Sequence, residues 1–461
     1  MDDQATSPNE SDNSTETPTV RISHENPYYW SIDGEPTLLI GGSPKDNLYQ
    51  HIANPDIDIE EALDALVDCG GNYVRHTMQS RVNADDEDFI VQAFGKTTDG
   101  RYDLETWNEE YWDRLDLLFE WTAERGIVVQ LTFWDRFDFA DHTYPTYREY
   151  NPWNPANNVT YTSEETGLPT EWDRHPVALI HRFMLAVEDD NTALLPYQER
   201  YVEKILEHTL AYDHILYNVS NETRAPKSWG DYWADLTKER AAEIGSEPVY
   251  VTQMYDPWDI TDTMHNRTHE DQVTYDYVDV SQNNQLSGQM HYDNLVTVRK
   301  EFEERRWPVN NVKCYGRDGG VHGATRDGLE RFWRSLFGGS ASIRFHRPPS
   351  GIGIGDLAQT HIQAARDVTN EIDIINAEPQ PYLLSDRTEN EAYCLADGKR
   401  ILVFFTDGGS VRLTVDEYQP ATVRWYDVSE PGWDGEEAVG SNCDSIRLDV
   451  PDDDYWVAVV A

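Results

Sequence analysis

The chain is poor in positive charge: its 461 residues carry 37 Lys and Arg against 85 Asp and Glu, a formal net charge of −48. A protein that neutralises a phosphate backbone needs a basic footprint, so nucleic-acid binding is excluded. Lysine is scarcer still, with 8 of the 37 basic residues and arginine the other 29. Cysteine is limited to Cys69, Cys314, Cys394 and Cys443, and no two have the C-x-x-C spacing of a zinc or thioredoxin-type site. Cys394 and Cys443 share the C-terminal segment and have the opportunity to pair, although buried free thiols are the plainer expectation. No run of 18 apolar residues exists, which removes a transmembrane helix. The first twenty residues are polar and acidic without an apolar stretch, so no signal peptide is visible. A cytoplasmic address is expected by default, or a secreted one if a leader has been removed. The histidines lack H-E-x-x-H spacing, and the Gly-rich GIGIG at Gly351–Gly355 is not followed by Lys-Ser/Thr. We expect no catalytic metal, no cofactor, and a turn rather than a phosphate cradle.

Apolar bulk, by contrast, is ample. Hydrophobic residues make up 39% and aromatics 12%, enough to build a large core, so the charge does not signify disorder. Dense carboxylates with few lysines suit a surface exposed to molar salt, where the Debye length shrinks to about 3 Å and self-repulsion is screened. Halophilic adaptation is the expectation; an ordinary acidic protein is the alternative.

Residues 1–18 read as a disordered acidic tail. From Val20 a short β section turns at Asp33-Gly34, the pattern of a hairpin. Eight short apolar runs follow: Thr37–Gly42, Asn72–Met78, Ile127–Trp134, His214–Glu222, Val249–Asp256, Thr274–Gln282, Pro308–Gly316 and Ser340–Pro348. Amphipathic helical patterns separate most of them, with no clear long helix between the fifth and sixth. Eight strands alternating with helices predict an α/β fold, a (β/α)8 TIM barrel, over residues 19–375. A long insertion, 136–193, falls between the third strand and its helix. After a linker at 376–385 the pattern changes to short strands and turns, predicting a small all-β sandwich over 386–461. Trp456 reads there as core, and Trp425 and Trp433 as either core or polysaccharide platforms.

A barrel's reactive face is built at the C-terminal ends of its strands. The polar residues at those ends include Asp46, Arg75, Trp134, Asp135, Asn221, Glu222, Tyr255, Asp256, Asn283, Lys313, Tyr315, Asp318, His346 and Arg347. Acids, amides, bases and aromatics converging on one mouth suit a polyhydroxylated ligand, a poly- or oligosaccharide. The sharpest local pattern is the fourth strand, ILYNVSNE, which ends in Asn221-Glu222 and sets a carboxyl at the rim beside an amide. Its plain alternative is a surface carboxylate in a very acidic chain.

That Asn-Glu pair resembles the fourth strand of the clan A glycoside hydrolases, and the resemblance implies Glu222 as general acid/base. Arg75 and Trp134 match the same pattern. The opening Tyr28–Ser43, the loop Trp153–Asn158 and the closing Asp452–Ala461 resemble apiosidase-like glycosidases, in which a barrel precedes a domain named for collagen binding. The seventh strand departs from the pattern. A retaining member offers Pro-Val, three residues, then a nucleophilic Glu; here Pro308-Val309-Asn310-Asn311-Val312 leads to Lys313. A lysine cannot form the glycosyl ester.

Three expectations follow. Asp318, Asp256 or Asp135 acts as base toward water in an inverting hydrolysis; or the barrel binds glycans without cleaving them; or Lys313 forms a Schiff base with a carbonyl substrate. For Lys313 itself the plainest role is an ion-paired lysine that positions Glu222 or an acidic sugar. His346 and Arg347 are expected either to bind a uronate or sulfate or to brace the mouth. Arg75, Lys313 and Arg347 together form a basic patch that suits an anionic glycan. No membrane partner is expected, and oligomeric state is not legible.

Overall fold

The computed structural model describes residues 17–79, 88–140, 149–171, 182–246, 248–439 and 443–461. The expected tail lies, through residue 16, outside the described residues. The eight apolar runs form one parallel sheet wound into a barrel: β1 (Leu39–Gly42), β2 (Tyr73–Thr77), β3 (Val128–Asp135), β4 (Ile215–Asn221), β5 (Val251–Thr252), β6 (Val278–Asp279), β7 (Val309–Cys314) and β8 (Ser342–Phe345). Register runs continuously from β5 through β4, β3, β2, β1, β8 and β7 to β6. The seam between β5 and β6 is closed by Asp276 N–H donating to the Val251 carbonyl at 2.9 Å and by the Thr252 hydroxyl donating to the Tyr277 carbonyl at 2.6 Å. Side chains that point inward must be small where strands approach closely. At Gly41 a Cβ would stand 1.7 Å from the Tyr73 carbonyl oxygen, which leaves glycine as the only residue that fits.

Among the described residues seven helices of ten residues or more cover the outside: α1 (Ile59–Asp68), α2 (Glu109–Glu124), α3 (Leu195–Thr209), α4 (Lys227–Ile244), α5 (Gly288–Glu301), α6 (Thr325–Phe337) and α7 (Asp356–Thr369). Between β5 and β6 stands only a four-residue helix, Asn266–His269. The hairpin expected from the Asp-Gly turn is a three-stranded meander, Val20–Ile22, Trp30–Ile32 and Glu35–Thr37, with Asp33 and Gly34 both at positive φ. It plugs the N-terminal end of the barrel: the Trp30 indole N–H donates to Asn310 Oδ1 at 2.8 Å and its ring meets Tyr250 and Tyr277 edge-on. The GIGIG segment is a turn ahead of α7. A Cβ on Gly42 would lie 2.2 Å from the Gly353 carbonyl oxygen, so close chain packing accounts for the glycines.

Beyond the barrel the chain is all-β. A six-stranded antiparallel sheet, which includes Ala392–Ala396, Ile401–Phe405 and Trp456–Val460, faces a three-stranded one that includes Ser410–Thr414 and Ser445–Asp449. Alternation along Ile401–Phe405 sends Val403 and Phe405 into the core between the sheets and Leu402 and Phe404 to the barrel side. There the Phe404 ring stacks on Trp333 of α6 at 4.9 Å, and Tyr393 meets Tyr292 of α5 at 4.7 Å. Trp425 and Trp456 are core residues, while Trp433 is half-exposed beneath the Arg424 guanidinium. The four cysteines are free thiols, so Cys394 and Cys443 do not pair. No helix among the described residues is long and apolar enough to cross a membrane.

Candidate functional site at the barrel mouth

Asn221 ends β4 with its side chain turned into the barrel, where its amide oxygen accepts from Lys313 Nζ at 2.7 Å and from Arg75 Nη2 at 2.9 Å. Its amide nitrogen donates to Asp135 Oδ1 at 3.2 Å. Strand alternation would carry the next side chain to the outer face. Instead Glu222 adopts a left-handed backbone, φ 51°, and its carboxylate also faces the mouth. That conformation costs an L-residue about 1–2 kcal/mol, so two successive inward side chains are held there at the expense of strain.

The Glu222 carboxylate is 7% exposed and fully engaged. Oε1 accepts from Lys313 Nζ at 2.5 Å and from the Tyr315 hydroxyl at 3.3 Å; Oε2 accepts from Arg136 Nη2 at 3.1 Å. Burial alone would raise its pKa, but Lys313, Arg136 and the more distant Arg75 outweigh it and hold the carboxyl down at about 2. Burial lowers the pKa of Lys313, against the pull of Glu222. The Lys313 ammonium completes its contacts on Met254 Sδ at 3.2 Å.

Arg136 joins two carboxylates. Its Nη1 donates to Asp256 Oδ1 at 2.5 Å while Nη2 holds Glu222, and Arg224 Nε donates to Asp256 Oδ2 at 2.5 Å. The neighbouring loops are tied by Asp256 N–H to the Thr223 carbonyl at 2.9 Å and by Gln282 Nε2 to the Asp256 carbonyl at 2.8 Å. On the other side of the mouth Asp46 is a second hub, bound by Arg75 at 3.4 Å, Arg344 at 3.0 Å and Arg347 at 3.2 Å, with His346 at 3.8 Å. Burial would raise the Asp46 carboxyl; His346 and the three guanidiniums hold it well below its ordinary range. The guanidiniums are the permanent charges, because burial pushes His346 well below the usual histidine value. The residues joined through these bonds number six bases (Lys313, Arg75, Arg136, Arg224, Arg344, Arg347) and four acids (Glu222, Asp256, Asp135, Asp46), a local reversal of the chain's overall sign.

Of the residues expected from the sequence, Glu222, Asp256, Asn221, Asp135, Arg75, Lys313, Tyr315, His346 and Arg347 come together here. His346 packs edge-on to Tyr315 at 4.6 Å and Arg347 sits on Asp46, so both brace the mouth. Three are not brought to the cluster. Trp134, adjacent to the inward Asp135, points to the opposite face and packs among Tyr201 of α3 and Trp229 and Trp233 of α4. The Tyr255 ring faces Arg267 at 5.4 Å, and Asn283 donates to the His291 carbonyl of α5 at 2.7 Å. Asp318 begins a two-stranded ribbon, Asp318–Gly320 with Gly323–Ala324, but its side chain lies outside the described residues. The loop Trp153–Asn158 uses its amides on its own backbone: Asn154 and Asn158 accept from Ala156 and Thr160 N–H groups.

The sequence reading missed Arg136, Arg224 and Arg344, and it did not follow Asp46 beyond noting a polar strand end. The signal for Arg344 was available, since an arginine inside the apolar run SASIRF must find a carboxylate if it faces inward. A cavity of about 260 Å³ lies at the barrel's opposite end, lined by residues that include Tyr28, Arg299, Arg306 and Glu378. Arg299 is committed there to Glu378 and to the Tyr28 ring, far from Glu222.

No protein-family model matches the chain, and no curated protein sequence does. Solved structures do resemble it. A protein described as a glycoside hydrolase aligns over 97% of both chains with TM-score 0.63 and 11% identity. A glycoside hydrolase family 5 protein from Bacteroides vulgatus aligns over 97% of this chain and 93% of its own, with TM-score 0.62 and 13% identity. A family 5 mannosidase from Rhizomucor miehei aligns over 76% and 97%, with TM-score 0.51 and 14% identity. At these identities the likeness is one of fold alone, and with the first two it spans both the barrel and the β domain that follows.

Proposed function

We propose that the chain is a glycoside hydrolase-like enzyme acting on a poly- or oligosaccharide, with Glu222 as general acid/base and Asp256 as its partner carboxylate. The observation that carries this reading is Arg136, which joins Glu222 and Asp256 through a single guanidinium at the C-terminal ends of β4 and β5. With lysine in place of the seventh-strand nucleophile, this pair is read as acting by single displacement by water, with inversion. Lys313 stands where the nucleophile of a retaining enzyme would be and instead positions Glu222. In the resting site Glu222 is a carboxylate, so on this reading it donates a proton only after a ligand draws both Lys313 and Arg136 away and Glu222 takes a proton up from water. The surplus of bases over acids supports an anionic glycan. The fold of the neighbours and the motifs at Tyr28–Ser43 and Asp452–Ala461 support an apiosidase-like member with a C-terminal domain of the kind named for collagen binding. The charge of −48 supports work in high salt.

One observation favours a second reading, a glycan-binding barrel without turnover: the buried Lys313–Glu222 pair keeps the acid ionised. A Schiff-base role is less well supported, because Lys313 Nζ already makes three contacts. Release of reducing ends from a glycan panel in molar KCl tests these readings. Turnover by the wild type that Glu222→Gln and Asp256→Asn abolish supports the hydrolase. Binding without turnover on every glycan supports the silent barrel, and a borohydride-reduced adduct on Lys313 supports the lyase.

A further inference from the structure

Tryptophans in this chain are mostly core residues, among them Trp30, Trp112, Trp134, Trp229, Trp233 and Trp333. Trp258 is 57% exposed, and it takes part in none of the ring or cation–π contacts found among the described residues. Even the half-exposed Trp433 has a guanidinium over its ring, 4.0 Å from the centroid. Among the described tryptophans Trp258 is the most exposed, and it offers an open aromatic face at the end of the barrel where ligands bind.

The position of Trp258 suggests what that face takes. It lies two residues beyond Asp256, on the loop leaving the C-terminal end of β5, the face where Glu222 sits. On the adjacent loop, which leaves β4 and pairs with this one at Thr223 and Tyr255, the Arg224 side chain is 59% exposed. Arg224 spends only Nε, on Asp256 Oδ2, and its two terminal nitrogens make no contact among the described residues. Asp256 is fixed in turn by Arg136 and by the backbone bond to Thr223, so the two loops form one rigid rim.

Resting on the carbohydrate reading above, we propose that Trp258 and Arg224 form a rim subsite for a uronic acid residue, on either side of Asp256. The indole takes the apolar C–H face of the pyranose, and the free edge of the guanidinium takes the carboxylate in a two-pronged bond. A uronate is the sugar that uses both groups; a neutral sugar uses only the indole. Because Asp256 shares Arg136 with Glu222, a sugar held here leads its neighbour toward Glu222.

The test is calorimetric binding of galacturonate, glucuronate and mannuronate oligosaccharides, and of the methyl ester of whichever binds, to the full chain in molar KCl. Neutral and sulfated glycans serve as controls. Trp258→Ala is expected to weaken the uronate and its ester by tenfold or more. Arg224→Gln is expected to weaken the uronate by a similar factor and leave the ester unchanged. Both side chains are exposed, and an unaltered Tm identifies the loss as one of contact. Uronate binding that neither substitution changes, or binding confined to neutral or sulfated glycans, overturns the subsite while sparing the carbohydrate reading. A wild type that binds no saccharide at all overturns the carbohydrate reading itself.

Discussion

Lys313 of β7 reaches across the barrel to Glu222 at the end of β4, Nζ to Oε1 at 2.5 Å, and both side chains are buried. Removing one partner of such a pair strands the other charge in a medium that cannot solvate it.

Lys313→Met is therefore expected to cost about 3–5 kcal/mol of stability at neutral pH. The sign of its pH dependence follows from Glu222. A carboxyl held at about 2 in the folded state, against an ordinary 4.5, adds stability that is complete above the ordinary value and lost as pH falls toward 2. Denaturant unfolding between these limits should show the wild type losing stability steeply and the variant less so, with the gap between them closing. Equal acid sensitivity in both proteins would show that Lys313 does not hold the carboxyl down.

Gly41→Ala should prevent the barrel from forming. A Cβ placed 1.7 Å from the Tyr73 carbonyl oxygen has nowhere to go without parting β1 from β2. Loss of soluble folded protein, read by circular dichroism, is the expected result; a variant with near wild-type Tm contradicts the strand spacing described above.

The β domain is docked by aromatic contact. Phe404→Ala removes the ring stacked on Trp333 and should destabilise the chain by about 3–5 kcal/mol, the range for truncating a buried phenylalanine. If the two parts instead unfold independently, calorimetry will show two transitions, of which only the later domain's moves.

Thermal stability should rise with salt. At a net charge of −48, raising KCl from about 0.1 M to about 1 M shortens the screening length from roughly 10 Å to 3 Å and relieves carboxylate repulsion. A Tm that is flat or falls over that range argues against adaptation to high salt.

Much of this fold can be read from strings of residues. The eight apolar runs locate all eight barrel strands, and the absence of a long helix pattern after Asp256 corresponds to a four-residue helix. Glu222 is legible because an apolar strand ends in Asn-Glu. Trp134 packs on the outer face and Asp135 faces the mouth because neighbours on a strand point opposite ways, which a motif at a strand end does not by itself distinguish. Arg136 directly follows Asp135, and Arg224 lies two residues after Glu222. Nothing local distinguishes them from the chain's other arginines, since their importance comes from meeting at Asp256.

The amino-acid sequence by itself determines the alternation of strands and helices, the acidic surface, and the lysine on the seventh strand, because periodicity, charge and identity are properties of neighbours along the chain. Only the tertiary structure decided that this lysine neutralises Glu222, that one guanidinium couples Glu222 to Asp256, and that the mouth of an acidic protein is locally basic. Those are relations between residues as much as 301 positions apart, brought together by barrel closure, and burial then makes charges that water would have screened interact strongly.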